Sequence, residues 1–245
     1  MKFAAVSTFN ADGFMLYGRR MMESFHQNWP NEVPLRVYSE GWSLIDSRTE
    51  IVELDDASPW LGCFKSRNKH RTFRDFRWDA VRFSHKVAAV SHAARDIECD
   101  VLIWLDGDIY THAQITLADL EKLAPAENEW ISWLNRTQMY PECGFYMLNL
   151  RHPQHLEYLS AFEAMYVNDE LYRLDEFHDS YVLQQVVKRT GALSRSLSGR
   201  GVATSHPLVN GPLGQWFDHL KGSRKQDGKS RRGDLKVARQ EDYWK

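Results

Sequence analysis

The chain has only three cysteines, Cys63, Cys99 and Cys143, none in a CxxC spacing. An odd, scattered set excludes a disulfide framework and a zinc site and suits a reducing compartment, so a cytoplasmic location is expected. Long hydrophobic runs are missing too: no stretch approaches 18 apolar residues, and "MKFAAVSTFN" turns polar too early for a signal peptide. No integral membrane association is therefore expected. Internal repeats and low-complexity blocks are lacking, which excludes solenoid and fibrous architectures. The formal net charge is only −2, so no global field marks the chain for nucleic acid or membrane.

What is there is a globular composition, 43% apolar and 26% charged, in a length of 245 residues that fits one large α/β domain. Nine tryptophans exceed what a core needs, and the surplus suits flat walls for sugars or bases. "KFAAVST" reads as a buried strand, and "GFMLYGRRMMESFHQNW" has the three-and-four spacing of a helix. "LRVYSE" and "IVEL" read as short strands. Residues 77–95 read as a long amphipathic helix feeding the strand "DVLIWL", 100–105. A helix near "TLADLEKLA", strands near "EWISWLN" and "CGFYMLNL", and helices over 153–167 and 179–189 continue the alternation. From Lys221 onward the chain is polar, glycine-dotted and basic, which reads as a mobile tail or as a segment ordered by a ligand.

The strand "DVLIWL" ends in Asp106-Gly107-Asp108. Two like charges this close cost free energy unless a positive charge sits between them, and a hard divalent cation fits. The carboxyl end of a strand in an open α/β sheet is also where ligands bind, because the loops converge there on a crevice. Asp119 reads as a helix cap, and Asp179 opens a helix where an N-cap role competes with a catalytic one. Arg82 and Lys86, four apart on the preceding helix, share a face that either reaches a phosphate or is ion-paired.

Together these motifs resemble the metal-dependent glycosyltransferases of the GT-A fold, most closely glycosyltransferase family 8, the glycogenin and bacterial galactosyltransferase group. "WLDGDIYTHAQITLADL" is similar to that family's metal motif, "PECGFYMLNL" to its acceptor-side strand and "HDSYVLQ" to a helix start near the sugar. "HLKGSRK", residues 219–225, has the His-x-x-Gly-x-x-Lys spacing of the family's C-terminal motif but lacks the Pro-Trp that usually follows. The resemblance implies a single GT-A domain, a nucleotide-diphospho-sugar transferase fold of Rossmann-like α/β class with a mixed central sheet flanked by helices, over 1–220. Residues 221–245 would then be a basic segment that completes the metal and diphosphate site.

It also implies a UDP-sugar donor and a retaining reaction. Asp106, Asp108 and His219 would hold a divalent metal, Mn²⁺ ahead of Mg²⁺ for a mixed carboxylate and imidazole set, acting as a Lewis acid on the leaving diphosphate. Gly107, Lys221, Gly222 and Lys225 would line the diphosphate, and Ser7, Thr8 and Tyr17 occupy the place of the base and ribose. Asp179 would face the sugar, and Ser180 stands where the family often has Gln.

For the acceptor, two stretches are rich in cations. Residues 65–86 carry eight Lys or Arg with Phe73, Phe76, Trp78 and Phe83 between them, and 221–239 carry eight more. Such a pattern suits a polyanion, and the whole also resembles small glycosyltransferases of bacteriophage genomes. Three expectations follow: the favoured one, transfer to hydroxymethylpyrimidines of double-stranded phage DNA; as an alternative, transfer to a cell-envelope glycan or lipid-linked saccharide; and, as a further alternative, a silent nucleotide- or metal-binding module.

Overall fold

The computed structural model describes residues 1–71, 75–199 and 205–245. The strands are β1 (Phe3–Asn10), β2 (Leu35–Glu40), β3 (Thr49–Glu53), β4 (Val101–Leu105), β5 (Ile109–Thr111), β6 (Ile131–Arg136), β7 (Met139–Asn149), β8 (Ser194–Ser196) and β9 (Phe217–His219). Seven of them form one sheet in the order β3-β2-β1-β4-β7-β6-β8, while β5 and β9 make a separate two-stranded ladder. Strands β3, β2, β1 and β4 run parallel and β7 runs antiparallel to both of its neighbours, so the sheet is mixed.

The apolar run "VLIWL" is explained by burial on both faces. Leu102 and Trp104 join one core with Ala4, Val6 and the helices Ala80–Asp96, His155–Val167 and Asp179–Thr190. Val101, Ile103 and Leu105 join the other with Phe3, Ala5 and the helix Arg19–Asn28. The chain thus leaves β1 toward one face and enters β4 from the other. The carboxyl ends of β1 and β4 therefore flank the topological switch point, where the loops diverge and leave a crevice.

The elements depart from the expected bounds where local chemistry intervenes. The helix expected over 77–95 begins at Ala80, because Asp79 caps it by accepting from the Arg82 amide at 3.3 Å and Phe76–Trp78 form a tighter turn. The helix expected from Gly13 starts at Ala11 and passes through a π turn, Phe14–Gly18, before Arg19–Asn28. Gly18 is needed there, since a Cβ would lie 2.6 Å from the Phe9 ring. Asp119 forms a capping box with Thr116, as its position suggested.

The C-terminal segment is packed down by its own side chains. Asp218 on β9 accepts from the Ser230 amide at 2.7 Å and from the Tyr243 hydroxyl at 2.8 Å. Trp244 is buried and donates to Gly214 O at 2.8 Å. Among the described residues, no helix is long and apolar enough to cross a membrane.

Candidate active site

The carboxyl end of β4 delivers Asp106, whose amide donates to Gly144 O at 2.8 Å and whose Oδ1 accepts from Trp104 Nε1 at 2.8 Å. Gly107 is buried, and a Cβ there would lie 2.7 Å from Phe9 and 2.9 Å from Tyr17. The turn therefore requires glycine at this position and presses it into the aromatic wall of the crevice. Asp108 then projects toward β9, which is registered so that Ile109 faces His219.

His219 Nε2 lies 3.1 Å from Asp108 Oδ1 and 3.8 Å from Asp106 Oδ2. One ligand atom from each of Asp106, Asp108 and His219 falls within 4.8 Å of the others. Neighbouring ligands on an ion with bonds of about 2.1 Å lie about 3 Å apart, so this donor set fits one divalent cation. The other ring nitrogen, Nδ1, is 2.7 Å from Glu142 Oε1, and a carboxylate behind a histidine is the arrangement that aims Nε2 at a metal. Gly144 completes the cradle: a Cβ there would come within 2.5 Å of His219 Cε1.

Sequence reasoning missed Glu142 and Gly144 as functional residues. The available signal was an acid inside the apolar run "PECGFYMLNL", since a buried carboxylate needs a partner.

The carboxylates also meet cations of the chain itself. Lys225 Nζ is 3.1 Å from Asp108 Oδ2 and 4.3 Å from the Tyr17 ring centre. Lys221 Nζ is 3.1 Å from Glu142 Oε1. Burial would raise the Asp108 pKa, but His219 and Lys225 hold it well below the usual carboxylate range. Burial also opposes ionisation of Glu142, yet Lys221 and His219 hold it low as well. Burial and Lys221 pull the His219 imidazole down, while Asp108 and Glu142 more than offset them and push it up to about 9. Burial, joined by the nearby carboxylates, pushes the Tyr17 phenol up to about 12, so it stays a neutral hydrogen-bonding group.

Lys86 is the second cationic centre. It is 8% exposed, and its three donors meet Cys143 O at 2.8 Å, Asp106 Oδ1 at 2.9 Å and Asp179 Oδ2 at 2.5 Å. Burial disfavours its charge, but Asp106 and Asp179 raise its pKa well above the ordinary lysine value. The helix cap before Asp179 is His178, which accepts from the Tyr181 amide, so Asp179 is left free of that duty. Ser180 is buried against the Cys143 thiol, which burial pushes up to about 12.

The remaining sequence-derived residues fall in three places. Ser7 is fully buried, with its hydroxyl unpartnered, and the single Thr8 hydroxyl proton is shared between Tyr38 O and Glu40 Oε1, each 2.9 Å away, at the rim of β1 and β2. Gly222 has φ +61° with open space around it, so it is a turn residue, not a point of crowding. Arg82 parts from Lys86: it is exposed, lies over Phe83 and lines an open cavity of about 460 Å³ with Asp75, Phe76 and Asp79.

Six of the sixteen cations of the two basic stretches pair with acids away from the carboxylate crevice. Lys65, Arg67 and Arg77 pair with Asp55, Asp169 and Asp75, and Arg224, Arg231 and Arg239 pair with Asp234, Asp227 and Glu241. Phe73 lies outside the described residues.

No protein-family model and no curated protein matches the chain. Among solved structures it is similar to mouse xyloside xylosyltransferase 1, with a TM-score of 0.52 and 12% identity over 80% of this chain and 85% of that one. It is similar to the bifunctional glycosyltransferase WbbM, with a TM-score of 0.51 and 11% identity over 80% of this chain and 38% of that one. A third likeness is to the glycosyltransferase GlyE of Streptococcus pneumoniae, with a TM-score of 0.51 and 11% identity over 81% of this chain and 46% of that one. The chain thus spans less than half the length of the latter two. At such identities the likeness is one of architecture, and with the mixed seven-stranded sheet it establishes the fold: this chain has the α/β fold of the GT-A glycosyltransferases.

Proposed function

We propose that the chain is a glycosyltransferase that moves a hexose from a UDP-sugar to a hydroxyl acceptor with retention of anomeric configuration, using a divalent metal, Mn²⁺ ahead of Mg²⁺. The observation that carries this reading is the set Asp106, Asp108 and His219 at the crevice between β1 and β4, with Lys225 3.1 Å from Asp108. Held by those three side chains, the ion would supply Lewis-acid neutralisation of a leaving diphosphate.

The chain's own residues supply the rest. Lys225 and Lys221 add point charges for phosphate oxygens, and the left-handed turn at Gly222 brings both to the same rim. Tyr17 and Phe9 form the wall on which the donor lies. Lys86 holds Asp106 and Asp179 on one cation, so that Asp179 stands as a fixed carboxylate beside the sugar. In the reaction the bond from C1 to the UDP oxygen breaks with its electron pair leaving on phosphate. The acceptor oxygen then bonds to C1 and its proton passes to that phosphate oxygen.

For the acceptor, the pairing of six of the cations in 65–86 and 221–239 with acids of the chain weakens the case for a polyanion, so a saccharide hydroxyl is the first reading. A second reading, the hydroxymethylpyrimidine of double-stranded DNA, rests on Phe76, 47% exposed, beside the exposed Arg82. UDP release from a panel of UDP-sugars with Mn²⁺ tests both readings. The assay is run alone, with soluble saccharides and with hydroxymethylcytosine DNA, against Asp108→Ala as the inactive control. Stimulation by saccharides that vanishes in the variant supports the first reading. Stimulation by DNA that weakens steeply with salt supports the second. Absence of release with every donor would overturn both and leave a silent binding module.

A further inference from the structure

A second cavity lies outside the proposed sugar-nucleotide site. It has a volume of about 270 Å³ and is walled by Arg20, Glu23, Ser24 and Gln27 of the helix Arg19–Asn28, by Tyr110 of β5, and by Gly228, Lys229 and Tyr243 of the C-terminal segment. Successive residues of a strand face opposite sides. His219 points to the metal carboxylates, so Asp218 and its cross-strand partner Tyr110 point the other way, and the cavity sits behind the β5–β9 ladder.

Three observations give this cavity a sign. Arg20 Nη1 is buried without a hydrogen-bond partner, and leaving a charged donor unsatisfied is costly. The group is wedged against Gly228, where φ is +73° and a Cβ would meet Nη1, so the backbone there is shaped around the arginine. Lys229 Nζ lies 4.7 Å from the Tyr243 ring centre and is likewise without an ion pair among the described residues. Against these two cations the lining holds the single carboxylate Glu23. Asp218, behind Tyr243, is fully buried and engaged by Ser230 and Tyr243, and Asp227 and Asp242, next to lining residues, pair with Arg231 and Lys245.

We propose that this cavity binds a phosphate-bearing small molecule, its phosphate held by Arg20 and Lys229 and its body lying against Tyr110 and Tyr243. The short helix Arg224–Asp227 links the cavity wall at Gly228 to Lys225 at the metal carboxylates. The site is thus adjacent in the chain to the cations of the carboxylate crevice, yet its own ligands are Arg20 and Lys229.

The test uses the full chain with EDTA and no UDP-sugar, so it stands apart from the transferase reading. Inorganic phosphate and a hexose 1-phosphate are titrated calorimetrically into the wild type, Arg20→Gln, Lys229→Gln and the double variant Lys221→Gln/Lys225→Gln. The expected result is saturable binding that weakens at least tenfold in both Arg20→Gln and Lys229→Gln and persists in the Lys221/Lys225 variant. Tighter binding of the hexose 1-phosphate than of phosphate identifies a sugar phosphate as the source, and equal binding identifies the free anion. Lys229 is exposed, so its variant remains folded and decisive even if Arg20→Gln does not fold. Absence of binding, or binding abolished only in the Lys221/Lys225 variant, would overturn the proposal.

Discussion

Glu142 carries the most informative single contact, because its oxygen 2.7 Å from His219 Nδ1 fixes which ring nitrogen faces Asp106 and Asp108. Glu142→Gln keeps the shape and loses the charge, so Mn²⁺ affinity should fall about 10–100-fold, alongside a loss of stability because His219 and Lys221 lose a buried counterion. Titration calorimetry with the metal alone reads this, and unchanged affinity would remove Glu142 from the site. Lys86→Met leaves Asp106 and Asp179 facing each other without their shared cation. Removing one partner from such a buried set costs about 3–5 kcal/mol, measurable by urea unfolding. His155 is buried, with Nδ1 3.3 Å from the Trp130 indole, and burial pushes its pKa down to about 4. Its folded value lies below the unfolded one, so stability is full above about pH 6.5 and falls as pH drops toward 4, by roughly 1 kcal/mol per pH unit. Thermal melts of wild type against His155→Leu between pH 7 and pH 4 should show a shallower slope in the variant.

At the scale of elements, what the sequence made legible is what neighbouring residues determine. Asp-x-Asp at the end of an apolar strand, and His219, Gly222 and Lys225 at fixed spacing, were readable because each is a local pattern. Glu142 and Gly144 were not, since their roles depend on β7 passing behind β9, a meeting of residues 75 or more positions apart. Lys86 was legible as a face-sharing cation, but its double pairing with Asp106 and Asp179 arises only when the Ala80–Asp96 and Asp179–Thr190 helices converge on β4. The same limit applies to the basic stretches, where Arg67 finds its counterion at Asp169, about a hundred residues away. The crossing of β7 behind β9 yields its own test. Gly144→Ala should push the His219 ring off its cradle and weaken Mn²⁺ binding, with far-UV circular dichroism unchanged. Retained affinity would show that the ring has room to move.

For the whole molecule, the C-terminal segment and the carboxylate crevice share one three-residue strand. Asp218 grips Ser230 and Tyr243 on one side of β9, while His219 serves the other. Trp244→Ala, at the far end of the chain, should cost about 3 kcal/mol in unfolding and also loosen His219, which Mn²⁺ affinity would register. The cations already drawn in around Asp106 and Asp108 bear on how the protein meets metal scarcity. A zinc finger collapses when its ion is stripped, because nothing else neutralises its ligands. Here Lys86, Lys225 and a protonated His219 stand in as counterions, so at the proposed metal site uptake of a divalent ion would be an exchange, releasing a lysine contact and a proton. The fold should accordingly outlive chelation, and a starved cell would keep a stock of intact protein ready to be recharged.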